Sequence, residues 1–126
     1  VTGTGGTIRI EFAYPPRQLS PNTGVHHMTR HRFKKAMKST AFWETRIALG
    51  RDKFEHDGCD IPVRITWHPV QGKVAPDADN ALATCKAHLD GIAQALGVDD
   101  KHFRPSIEIG ESVPGGRVIF TLGALE

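Results

Sequence analysis

The chain is poor in cysteine and in net charge, and each shortage excludes something. Its two cysteines, Cys59 and Cys85, form no Cys-x-x-Cys pair. Neither a disulfide framework nor a zinc site is expected, and a reducing cytoplasm is the natural compartment. Sixteen Lys+Arg against 14 Asp+Glu leave a formal charge of only +2. Attraction to a polyanion must therefore come from how the charges are distributed rather than from their sum. No apolar run approaches a membrane span or a signal-peptide core. Internal repeats and low-complexity segments are also missing. The opening "VTGTGG" has no Met and reads as a trimmed end, so residues 1–6 are expected to be a flexible extension and 7–126 a single domain.

What is present is patterning. In "TIRIEFAY", Ile8, Ile10, Phe12 and Tyr14 alternate with Arg9, Glu11 and Ala13, the period of a strand with one buried face. "PPRQLSPN" then forbids regular structure, because its prolines lack amide donors. From Met28 to Leu49 a helix is expected, with Phe33, Met37, Ala41, Glu44 and Ile47 along the core-facing stripe. "IPVRITWHPV" alternates again, with Arg64, Thr66 and His68 on the outer side. The segment Asn80 to Leu96 carries Leu82, Cys85, Leu89, Ile92 and Leu96 at helical spacing, with Asp79 or Asn80 as N-cap and Gly97 as stop. "PSIEIGESV" and "GRVIFTL" read as two strands of a hairpin turned at Pro114-Gly115-Gly116. The expected fold is α/β in the α+β two-layer sense: a small mixed sheet with two helices on one face, in the order β-α-β-α-β-β.

The stretch "PDADNALATCKAHLD" carries candidate chemistry. At 100° per residue, Asp79, Lys86 and Asp90 fall within roughly 20° of one direction on a helix. Simple capping at Asp79 and an ordinary Lys86/Asp90 surface pair account for part of this. They leave Asp77, a second carboxylate beside the first, which is repelled unless a cation lies between them. An EF-hand loop does not fit, because its glycine and terminal glutamate are missing. Oxygen ligands without Cys or His favour a hard ion, Mg²⁺ or Mn²⁺, and such ions serve phosphoryl chemistry.

Taken in order, "AYPPRQLSPNTGVHH", "PDADN", Lys86, "LDGIAQALGVDD" and "KHF" resemble the motifs of the RusA-type Holliday-junction resolvases, especially phage and prophage members, over about residues 12 to 104. The resemblance implies a metal-dependent endodeoxyribonuclease that resolves four-way DNA by phosphodiester hydrolysis, leaving paired nicks, in recombination and repair. It implies Asp77, Asp79 and Asp100 as metal ligands for Mg²⁺ (or Mn²⁺), and Lys86 as their catalytic partner. Asn80, Asp90 and Asp99 are accessory candidates. Several relatives place the lysine three residues after the asparagine; here Ala83 stands there and Lys86 comes six after. Two readings from other classes stand beside this one: a branched-DNA-binding module that does not cleave, and a metal-dependent phosphohydrolase of free nucleotides.

If residues 80–96 were one straight helix, Asp100 would lie roughly 25 Å from Asp79. A break near Gly91 would close the gap. So would a homodimer pairing its helices antiparallel through the Leu82/Cys85/Leu89/Ile92/Leu96 seam, which is the arrangement expected. Upstream, "TRHRFKKAMKS" concentrates Arg30, Arg32, Lys34, Lys35 and Lys38, with Arg46 further along. These are the candidate DNA-backbone contacts, against the alternative of a solvated helix face. The Pro-rich loop is expected to be structural first. Phe103 is expected to begin a core strand, and His68 and His88 to be surface residues.

Overall fold

The computed structural model describes residues 7–54 and 56–123. The expected extension at residues 1–6 lies outside them. The elements in chain order are β1 (Thr7–Ala13), α1 (His27–Leu49), β2 (Ile61–His68), α2 (Ala78–Thr84), α3 (Lys86–Leu96), β3 (Phe103–Ile109) and β4 (Arg117–Gly123). Single 3-10 turns at Arg17–Leu19 and Asp100–His102 precede α1 and β3.

Alternation decides which face of the sheet is buried. Ile8, Ile10 and Phe12 of β1 point inward with Ile61, Val63, Ile65 and Trp67 of β2, while Arg9, Glu11 and Arg64 stay in water. The helices cover that inner face, giving the expected small α+β fold with a mixed sheet.

The expected hairpin is not formed. The strand order is β1-β4-β2-β3, with β4 antiparallel to both its neighbours and β3 parallel to β2. Composition explains the choice. Val118, Phe120 and Leu122 of β4 are fully buried, as a central strand requires. β3 exposes Arg104, Ser106 and Glu108 and contains Pro105, which has no amide to donate, and both traits suit an edge. Parallel neighbours need a crossover, which α2 and α3 supply. The Pro114–Gly116 segment is still a turn, with the Gly116 amide donating to Val113 O at 3.0 Å.

Two expectations about the helices are also corrected. In α1 the buried residues are Ala41, Thr45 and Leu49; Phe33, Met37 and Glu44 are half-buried, and Ile47 is 72 % exposed. The reason lies on α3. A Cβ at Gly91 would stand 2.8 Å from Ala41 Cβ and overlap the Lys38 carbonyl, so the helices touch through their smallest residues. Side chains as large as Ile47 are excluded from that crossing.

The second expected helix is two helices, broken at Cys85 (φ −85°, ψ 2°) rather than near Gly91. Thr84 Oγ1 donates back to Asn80 O at 2.7 Å, a bond that bends helices. Past the bend, Cys85, Leu89, Ile92 and Leu96 are buried in the chain's own core and Leu82 is half-buried. The seam expected to pair two copies is therefore used up inside one chain. His88, expected at the surface, is fully buried, with its ring 4.9 Å from Phe12 and 5.4 Å from Phe120. Burial lowers its pKa to about 4. Phe103 opens the core side of β3 as expected.

Candidate nucleic-acid interface

The N-terminal half of α1 projects past the Ala41/Gly91 crossing and forms one wall of a cleft of about 550 Å³. Arg30, His31, Lys34, Lys35 and Lys38 line this wall; Ala83, Thr84, Lys86, Ala87 and Asp90 line the other. Leu19 and Pro21, from the Pro-rich loop, close the end. Helical geometry produces the wall, because positions 30, 34 and 38 succeed one another at four-residue steps along one face.

The loop also holds the wall in place. Arg30 donates to Thr23 O at 2.8 Å and to Thr23 Oγ1 at 3.2 Å, tying the first turn of α1 to the loop before it. Leu19 is buried to 3 %. The structural role expected of "PPRQLSPN" is thus visible in its contacts.

Of the candidate DNA-contacting residues, the structure gathers Arg30, Lys34, Lys35 and Lys38 in the cleft. Arg32 is exposed outside its lining, and Arg46 reaches to Ala95 O at 3.5 Å, near the end of α3. His31, not among the candidates, joins the wall. Its four-residue step to Lys35 is the signal that could have found it.

The carboxylates fall into separate places. Asp77 is the N-cap of α2, its Oδ1 accepting from the Asn80 amide at 2.9 Å, so neither Asp79 nor Asn80 is the cap. The carboxylate that capping left unexplained is thus the one that caps. Asp79, two residues on, lies in a shallow hollow of about 300 Å³ shared with Leu82, Ala83, Lys86 and Pro105. Asp99 caps the 3-10 turn before β3, accepting from the Lys101 amide at 2.9 Å, and this bond above all lowers its pKa.

Asp100 meets Asp90. Burial first, and then a hydrogen bond shared with Asp100, raises the pKa of Asp90, while Lys86 and Lys38 pull it down. Lys86 lines both the large cleft and the Asp79 hollow, so it stands between Asp79 on one side and the Asp90/Asp100 pair on the other.

The ligand set implied for Mg²⁺ does not fit one ion within one chain. Asp77 is engaged as a cap and Asp100 lies beside Asp90. Among the described residues no three His, Cys, Asp or Glu side chains are grouped closely enough to hold a metal. No described helix is long and apolar enough to cross a membrane.

Comparison with protein-family models finds no match. A protein of Xylella fastidiosa, described as an uncharacterized protein, is 35% identical over 121 residues, covering 90% of this chain and 74% of that protein. At that identity and coverage, this chain belongs to the same protein family as the Xylella fastidiosa protein.

Proposed function

We propose that the chain binds the phosphate backbone of branched DNA along the cleft between α1 and α3 and cuts it in the manner of the RusA-type resolvases its motifs resemble. The process served would be recombination or repair in a reducing cytoplasm. The observation that carries this reading is the charge of the cleft. Arg30, Lys34, Lys35, Lys38 and Lys86 face it against a single acid, Asp90, although the whole chain is nearly neutral. From Arg30 to Lys38 the wall runs roughly 12 Å. That matches three to four nucleotides of a duplex strand at about 3.4 Å each. A free nucleotide would use one end of such a wall, which disfavours the phosphohydrolase reading.

On this reading Lys86 offsets charge on a phosphoryl oxygen held in the cleft. Asp90 beside it keeps its proton to higher pH than an ordinary carboxylate. Mg²⁺ or Mn²⁺ belongs to the reading through the resemblance, which assigns it to Asp77, Asp79 and Asp100. Because these do not meet within one chain, the reading includes a homodimer whose copies complete the set through a surface other than the buried seam. A second reading, binding without cleavage, is favoured by one observation: the Asp77 carboxylate is already engaged by the Asn80 amide.

The experiment is cleavage of a labelled synthetic four-way junction beside a matched linear duplex, in Mg²⁺, in Mn²⁺ and in EDTA, by wild type and Asp79→Asn. Paired nicks on the junction alone, dependent on metal and abolished by the substitution while binding persists, are the expected result. Salt-sensitive binding with no cut under any metal would leave a junction binder.

A further inference from the structure

A second cavity adjoins the basic cleft, and phosphate binding along that cleft makes no use of it. It measures about 200 Å³ and is walled by Tyr14, Pro16, Trp67, Val74 and Pro76, with Arg17 also in its lining. Ligand sites for drug-sized molecules run to roughly 300–1,000 Å³. This pocket therefore suits a single small ring system.

Its walls are apolar and rich in rings. Tyr14 and Trp67 pack edge to face with centroids 5.3 Å apart, and Pro15, Pro16 and Pro76 line the pocket beside them. No acidic residue lines the pocket, and the exposed Arg17 is part of its lining. Trp67 is 3 % exposed and its Nε1–H has no hydrogen-bond acceptor. A buried donor without an acceptor is destabilising, and a planar heterocycle carries the carbonyl and ring-nitrogen acceptors that it lacks.

Position links the pocket to the cleft. Thr84 lines both cavities. The segment that divides them contributes Arg17 and Ser20 to the small pocket and Leu19 and Pro21 to the cleft. Pro76, on the pocket's far wall, immediately precedes Asp77.

We propose that this pocket receives one unstacked nucleobase from a strand whose phosphates lie in the basic cleft. The inference rests on the nucleic-acid reading of that cleft and adds to it a base-reading subsite. Enzymes and binders that hold single-stranded segments stack bases on aromatic faces and arginine planes, and a branch point supplies bases whose stacking is already interrupted.

The test uses the ¹⁵N-labelled full chain with Trp43→Phe, which leaves Trp67 as the sole indole reporter, since the chain has two tryptophans. It is titrated with a short single-stranded oligonucleotide and with an abasic strand of the same length. The expected result is that the base-bearing strand binds at least about fivefold more tightly and moves the Trp67 indole resonance, whereas the abasic strand binds in a salt-dependent way and leaves it still. Arg17→Ala, an exposed lining residue, and Tyr14→Leu, which removes one stacking face, should each bring the two affinities together. Equal affinities and a still indole with salt-dependent binding intact would overturn the pocket alone. Failure of both strands to bind while a four-way junction still binds would overturn the pocket alone, and failure of the junction as well would overturn the pocket and the cleft together.

Discussion

The two halves of α1 share one helix and do different work. Its C-terminal half, from Ala41 to Leu49, presents small residues to Gly91 and is held by packing. Its N-terminal half, from Arg30 to Lys38, faces a cleft and carries four of the five Lys and Arg side chains that line it. Close packing where Lys38 and Ala41 meet Gly91 sets how near α1 comes to α3 at that end of the cleft, so the width of the cleft follows from how closely Ala41 and Gly91 meet. The shape of a surface can thus be set by residues that never touch it.

The largest effect should come from breaking the packed half. Gly91→Leu forces a side chain into the Lys38 carbonyl and Ala41, and overpacking of this kind costs about 3 kcal/mol. Urea unfolding should show the loss, together with weaker DNA binding because the cleft changes shape.

A comparable change should follow from acid. His88 is held near a pKa of about 4, below its unfolded value of 6.5. A group with a lowered folded pKa contributes its full stability above the unfolded value and loses it as pH falls towards the folded one. Stability should therefore drop by about 3 kcal/mol between pH 6.5 and pH 4. His88→Leu should flatten that part of the pH–stability curve, read by chemical denaturation at each pH.

A smaller effect distinguishes the carboxylates. Asp77→Ala removes the α2 cap and should cost about 1 kcal/mol. Asp79→Ala, with no such bond, should stay within about 0.5 kcal/mol. Equal losses would mean that the two aspartates share a structural role. Smallest of all, Lys34→Gln with Lys38→Gln should leave stability within about 0.5 kcal/mol in the same assay, because those side chains face solvent.

Much of the fold was legible in the sequence because alternation and helical spacing are local signals. The strands at Ile8 and Ile65, the start of β3 at Phe103 and the stop at Gly97 all follow from it. What was not legible was long-range. Nothing local says that β4 enters between β1 and β2, or that Ala41 outranks Ile47 as a core residue, because both depend on partners far along the chain. His88 was misplaced for the same reason: its neighbours Phe12 and Phe120 come from two other strands. At the site, the concentration of cations in "TRHRFKKAMKS" singled out Arg30, Lys34, Lys35 and Lys38, which line the cleft, together with Arg32, which does not. Spacing alone could not foresee that Thr84 would bend the helix, that Asp77 would cap it, or that Asp100 would settle on Asp90.

The most direct test of the cleft is the salt dependence of four-way-junction binding, measured for wild type and for Lys34→Gln with Lys38→Gln across a range of NaCl concentrations. Each phosphate that is no longer neutralised should reduce the slope of log K against log[salt] by about 0.9, so the double variant should fall by about 2. Arg32→Gln, outside the cleft, should leave the slope nearly unchanged. An unaltered slope in the double variant, or an equal loss for Arg32→Gln, would contradict the assignment of the cleft as the phosphate-binding surface.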